Sequence, residues 1–165
     1  MIKQIIVDEN DQPIGLKLRD QLDFKKDIYR VSALWLTNSR GQVLIAQRSL
    51  QKKNNPGKWG PAVAGTVEED ETYESNIEKE CEEEIGLTGV ELVLSHKFKM
   101  PDDAPRRYFC QYFTATVDRP AESFVLQPEE VDAVKWVEPG GLRTDIDKHP
   151  DKYVNGVKRV VGLFL

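Results

Sequence analysis

Glu80, Glu83 and Glu84 sit three and four residues apart in a segment where Glu68 to Glu84 holds ten acidic residues against one basic residue, Lys79. A charge run is ordinarily a solvated face, and the angular arrangement here argues for more. On a helix turning about 100° per residue, Tyr73, Ile77, Cys81 and Ile85 form an apolar stripe spaced by four. Glu80 and Glu84 fall beside that stripe and Glu83 on the adjoining flank, while Glu78 and Glu82 point away into solvent. Carboxylates this close raise one another's pKa and disfavour the folded helix. A divalent cation reverses that sign, and Mg²⁺ takes oxygen ligands while keeping several waters. Glu80, Glu83 and Glu84 therefore read as a partial site for Mg²⁺ or Mn²⁺ that a phosphate oxygen would complete.

The elements that must position these residues follow from pattern. Thr72–Ile85 reads as a helix, with Asp70 and Glu71 at the positive end of its dipole and Gly86 as its stop. Ile2–Val7 and Ile14–Leu18 read as an N-terminal hairpin, and Arg19–Lys26 as a charged connector. Ile28–Thr37, Gln42–Gln47, Ala62–Val67, Val90–Leu94, Tyr108–Val117 and Ala133–Val137 have strand composition. Arg48–Gly60 reads as a polar loop. The tail predicts two short helices, Leu142–Lys148 and Tyr153–Leu165, split at Pro150. Strands mixed with helices imply an α/β (α+β) sandwich.

The chain has 165 residues and a formal net charge of −5, enough to bury a core without staples. The acidic balance argues against nucleic acid or an anionic membrane as partner, and leaves a small phosphorylated ligand open. Two cysteines, Cys81 and Cys110, are too few for a disulfide framework. Reduced thiols and the absence of an apolar leader or spanning segment predict a cytoplasmic protein.

The segment GTVEEDETYESNIEKECEEEIGL resembles the Nudix box, G-x5-E-x7-R-E-U-x-E-E-x-G-U with U a bulky aliphatic. Gly65, Glu71, Glu80, Glu83, Glu84 and Gly86 match by identity, and Leu87 fits the last slot. Lys79 replaces the arginine and Cys81 an aliphatic. Lys79 keeps the charge and loses the forked guanidinium, which in the family orients neighbouring carboxylates. The flanking segments IVDENDQPIGLKLR and LIAQRSLQKKNNPGKWGPAVAG are similar to the isopentenyl-diphosphate isomerase branch and its hydrolase-like relatives.

The resemblance implies one Nudix domain over residues 1–165: hairpin and connector at 1–27, a core at 28–140 with the box at 65–87, and C-terminal helices at 141–165. The implied fold is an α/β/α sandwich with a mixed central sheet, and a homodimer is one possible assembly. It implies a metal-dependent hydrolase that cleaves the pyrophosphate bond of a small-molecule diphosphate joined to a group X. The Gly65 carbonyl would add a metal ligand, and Arg48 and Lys52 would contact the diphosphate. Glu83 is the first choice of general base. The later turn Gln127–Glu130 supplies two further candidates, Glu129 and Glu130; that turn also reads as an ordinary acidic loop. Glu71 is expected to orient rather than to ligate. Trp35, Trp59 and Tyr108 are either core or a stacking surface for a base.

Isomerisation itself lacks its parts. The cysteine slot before the box glycine holds Ala64, the downstream acidic slot falls in Arg106-Arg107-Tyr108, and His96 and His149 stand away from the isomerase ligand positions. Cys110 is expected to be a core residue. An isomerase-like protein and a non-catalytic diphosphate-binding module remain the alternatives.

Overall fold

The computed structural model describes residues 1–165. In chain order the elements are β1 (Lys3–Val7), β2 (Pro13–Leu18), β3 (Ile28–Thr37), β4 (Val43–Arg48), β5 (Trp59–Pro61), β6 (Val63–Thr66), α1 (Tyr73–Ile85), β7 (Val93–Lys99), β8 (Arg107–Thr116), β9 (Val131–Val137), α2 (Pro139–Lys148) and α3 (Val157–Phe164). All nine strands join one mixed sheet.

β3 organises it. β8 runs parallel to β3 along its whole length, from Ile28↔Arg107 to Thr37↔Thr116. Three antiparallel strands share β3's remaining pairing: β1 at Tyr29, β6 from Val31 to Leu34 and β4 at Thr37. Strand alternation sends successive side chains to opposite faces, so β3 feeds two cores. Leu34 and Leu36 pack with Ile77, Cys81 and Ile85 of α1. Ala33 and Trp35 pack with Leu142 and Ile146 of α2 and Val160 and Val161 of α3. The result is the three-layer α/β/α arrangement implied by the box.

α1 forms where its signals predict. Thr72 caps it, its hydroxyl accepting from the Ser75 N–H at 3.1 Å, while the Ser75 hydroxyl accepts from the Thr72 N–H at 2.9 Å. Gly86, at φ +66°, adopts the left-handed conformation that ends the helix. The spaced-by-four stripe faces the sheet, with Ile77, Cys81 and Ile85 buried.

Three expectations are corrected. The strand read over Val90–Leu94 forms at Val93–Lys99, because Val90 and Leu92 are drawn onto the α1 core and the pairing partner β8 lies further along. The polar loop after Arg48 ends in a short strand, β5, paired with β4 at Gln47↔Trp59. The last helix begins at Val157 rather than Tyr153, because Tyr153 is buried in the second core and its hydroxyl donates to Asp145 at 2.7 Å.

Candidate active site

The Nudix-box residues meet where β6 runs into the loop before α1. Gly65 is the closest approach. A Cβ at that position would stand 2.4 Å from Glu80 Cγ and 2.7 Å from its Oε1, so only glycine lets the Glu80 carboxylate lie across the strand. Glu84, one turn further along α1, is 8% exposed and takes a hydrogen bond from the Ala64 N–H. Burial pushes the Glu80 carboxyl up to about 7, and the nearby charge of Glu83 adds to it against the opposing pull of Lys79. Burial likewise pushes Glu84 up to about 8, reinforced by Glu80 and Glu130. Two acids withdrawn from solvent, whose anionic forms are held at a disadvantage, could together hold a cation.

The three glutamates are not equally placed. No group of three or more His, Cys, Asp or Glu side chains is gathered closely enough to hold a metal by itself. Glu80 and Glu84 are withdrawn into the cavity, whereas Glu83 is exposed at its wall. Mg²⁺ is commonly held by one or two carboxylates plus waters and substrate phosphate, and the residues present fit that mode.

Around Glu80 the carboxylates are organised from behind. Lys79 Nζ lies 2.5 Å from Glu71 Oε1, 3.0 Å from Glu68 Oε2 and 3.7 Å from Glu80 Oε1. Burial would lower the ammonium, but the hydrogen bonds it donates to Glu71 and Glu68 more than offset that and hold it well above the usual lysine range. Glu71 accepts from the Glu68 N–H at 2.9 Å and from Asn76 Nδ2 at 2.8 Å. Burial alone would raise its carboxyl; Lys79 and these donors hold it low. Glu71 is thus tied to the Glu68 backbone, Asn76 and Lys79.

A cavity of about 660 Å³ opens from this corner. Arg48 and Lys52 both line it. Arg48 Nε donates to the Asn54 carbonyl at 2.9 Å, and burial pulls its guanidinium below the ordinary value. Lys52 is ion-paired with Glu130, so two residues expected to act separately are held together here. Arg106, in the slot where an isomerase needs an acid, donates to Asn54 Oδ1 at 2.6 Å across the mouth. Away from the charges, the wall is made by Val31, Ala33, Tyr108, Cys110 and Tyr112 from the sheet and by Val160 from α3.

Packing decides between core and stacking surface for the two tryptophans. Trp35 lies under Phe164 with ring centroids 4.7 Å apart, in the second core. Trp59 is covered by Lys135, whose Nζ is 4.3 Å from the ring centroid. Neither lines the cavity; Tyr108 does. Cys110 is buried, and burial alone pushes its thiol far up, so it is no nucleophile. Reading the sequence missed Asn76 and Ser32. Asparagine in the middle of a helix, four residues before Glu80, was the available signal.

The NUDIX domain model matches residues 27–156. The chain belongs to the Nudix family. A Nudix hydrolase of Pseudomonas aeruginosa is 33% identical over 133 residues, covering 81% of this chain and 76% of its own length. A prenyl-diphosphate phosphatase of Methanosarcina mazei is 30% identical over 161 residues, 96% of this chain and 92% of its own. Among solved structures, a Deinococcus radiodurans protein superposes with a TM-score of 0.83 at 23% identity, covering 97% of each chain, which supports the fold. As a Nudix hydrolase, the protein has the family's general chemistry, hydrolysis of a pyrophosphate bond in a small-molecule diphosphate.

Proposed function

We propose that this Nudix hydrolase uses Mg²⁺ or Mn²⁺ to cleave the pyrophosphate bond of a diphosphate whose group X is an apolar chain of the prenyl kind. The observation that carries the reading is one cavity whose wall passes from two buried carboxylates, through a guanidinium and an ammonium, to aliphatic and aromatic side chains under α3. The displacement of Trp35 and Trp59 from that wall argues against a stacked base as X. The name of the Methanosarcina mazei relative, which matches nearly end to end, agrees with an apolar X.

Glu80 and Glu84, with Glu83 turned inward and the Gly65 carbonyl, would hold the divalent ion. Bound there, it would neutralise charge on the diphosphate as the bridging bond breaks. Arg48 offers a fork to the phosphate oxygens and Lys52 a mobile point charge. Lys52 reaches the diphosphate by leaving Glu130. Glu83, exposed at the cavity wall, takes the proton from the attacking water; Glu130 is the second candidate once Lys52 has moved. Water adds to phosphorus, the bridging P–O bond breaks, and inorganic phosphate and the monophosphate of X leave. Tyr108, Tyr112 and Val160 hold the chain of X away from water.

The test is a panel of prenyl and nucleoside diphosphates incubated with Mg²⁺, reading released phosphate and monophosphate. Turnover confined to the prenyl compounds is expected. Preference for nucleoside diphosphates would overturn the assignment of X. Thermal stabilisation by a diphosphate with no phosphate released would replace hydrolysis by simple binding. Glu83→Gln should abolish turnover with the unfolding midpoint unchanged, and unchanged turnover would move the base to Glu130.

A further inference from the structure

In the Nudix box the position of Lys79 belongs to an arginine, whose fork can grip a carboxylate through two parallel N–H bonds. A lysine offers a point charge and cannot repeat that grip. The structure holds a second donor where the other half of the fork would be needed. Glu71 is gripped on both oxygens, by Lys79 Nζ on Oε1 at 2.5 Å and by Asn76 Nδ2 on Oε2 at 2.8 Å. The same two groups flank Glu80, whose Oε1 lies 3.7 Å from Lys79 Nζ and 3.5 Å from Asn76 Nδ2.

Asn76 is completely buried, and each end of its amide is committed. Its Oδ1 accepts from the Ser32 hydroxyl of β3, also completely buried, and its Nδ2 faces the carboxylates. Nδ2 also donates to the Thr66 carbonyl at 3.1 Å, next to Gly65. A buried asparagine serving only the fold could place its amide either way round. Here the partners of Nδ2, the Glu71 carboxylate and the Thr66 carbonyl, can only accept, so they select the orientation in which an N–H faces the acids, and the Ser32 hydroxyl satisfies the amide oxygen behind it. The box pattern leaves position 76 open, so the pattern alone assigns this residue nothing.

We propose that Asn76, its amide oxygen satisfied by Ser32, is a positioning residue that together with Lys79 does the work of the missing guanidinium: the pair fixes Glu71 and Glu80 in the arrangement that receives the divalent ion. This rests on the metal-site reading above.

The test is a double-mutant cycle read in two ways: Mn²⁺ affinity from thermal unfolding of the metal-free protein, and kcat separately from KM for a diphosphate. Losing a partner that orients a metal ligand typically lowers affinity or activity by about 10- to 100-fold. N76A should therefore weaken Mn²⁺ binding and lower kcat by about tenfold or more, with KM little changed. Adding K79R should recover most of that loss in N76A, a gain at least several times larger than K79R gives in the wild-type background. Equal gains in both backgrounds would overturn the shared role, as would an N76A protein that binds Mn²⁺ normally. Where N76A fails to fold, S32A and S32A/K79R carry the same comparison, because S32A strands the buried Oδ1 and loosens the amide while leaving it in place. A wild-type protein indifferent to Mn²⁺ would instead overturn the metal-site reading.

Discussion

Two regions of this molecule bury carboxylates, and they do so to opposite ends. Asp11, in the turn between β1 and β2, is 7% exposed. It accepts from Arg30 Nε at 2.7 Å and from the Tyr73 hydroxyl at 3.0 Å, and it is ion-paired with Lys97. Burial alone would raise its carboxyl; the hydrogen bonds from Lys97 and Arg30 hold it below the ordinary aspartate value. Glu80 and Glu84, on the far part of α1, are buried beside other acids and pushed up to about 7 and about 8. Asp11 is a finished bond that ties the hairpin to β3, α1 and β7. The glutamate pair is unfinished, and what would complete it comes from solution. A buried charge with its partners built in serves the fold, whereas one that lacks them marks where a ligand is expected.

The contrast is sharpest in activity. Glu84→Gln should lower turnover at least about a hundredfold and remove stabilisation by Mn²⁺, while leaving the metal-free protein as stable as wild type or more so, since the amide resembles the protonated acid already favoured there. Comparable loss of stability without metal would make Glu84 a second Asp11. The converse change, Asp11→Ala, should cost about 3 kcal/mol by stranding Arg30 and Lys97, measured by denaturant unfolding. The Mn²⁺-induced shift should persist. A loss below about 1 kcal/mol would show the cluster to be a weak surface pair.

The pH dependence should also differ in sign. For the metal-free protein in EDTA, Glu80 and Glu84 hold protons in the native state that the unfolded chain has released above about pH 4.5. Stability therefore falls as pH rises from about 4.5 through about 8, by several degrees in unfolding midpoint. Asp11 acts in reverse: its folded value lies below its unfolded one, so its contribution is full above the unfolded value near 4 and is lost as pH falls through the folded one. Midpoints measured in EDTA across this range, in wild type and in Glu84→Gln, separate the two, and a profile unchanged by Glu84→Gln would break the distinction. The smallest effect expected is a rise of a few degrees in the wild-type midpoint on saturation with Mn²⁺, reversed by EDTA.

Much of this was legible in the chain. α1 announced itself through Thr72, its four-residue apolar stripe and Gly86, because helix signals are local and lie within a turn or two of the residues they govern. The box gave the spacing of Gly65, Glu80 and Glu84 for the same reason. β7 forms later than composition suggests because its register depends on β8, and composition left Trp35 and Trp59 open between core and stacking surface because an aromatic in a strand looks the same from either side of the sheet.

By itself the sequence determined the family, the helix and the acids along it, since these are written in fixed intervals on one element. Only the tertiary structure decided which acids are buried and which is left exposed, that Lys52 rests on Glu130, and that Ser32, forty-four residues upstream, holds the amide oxygen of Asn76 while the amide nitrogen faces Glu71. Those facts depend on side chains meeting across β3, β6 and α1, and pairing between residues distant along the chain follows from how the layers pack, which no local spacing encodes.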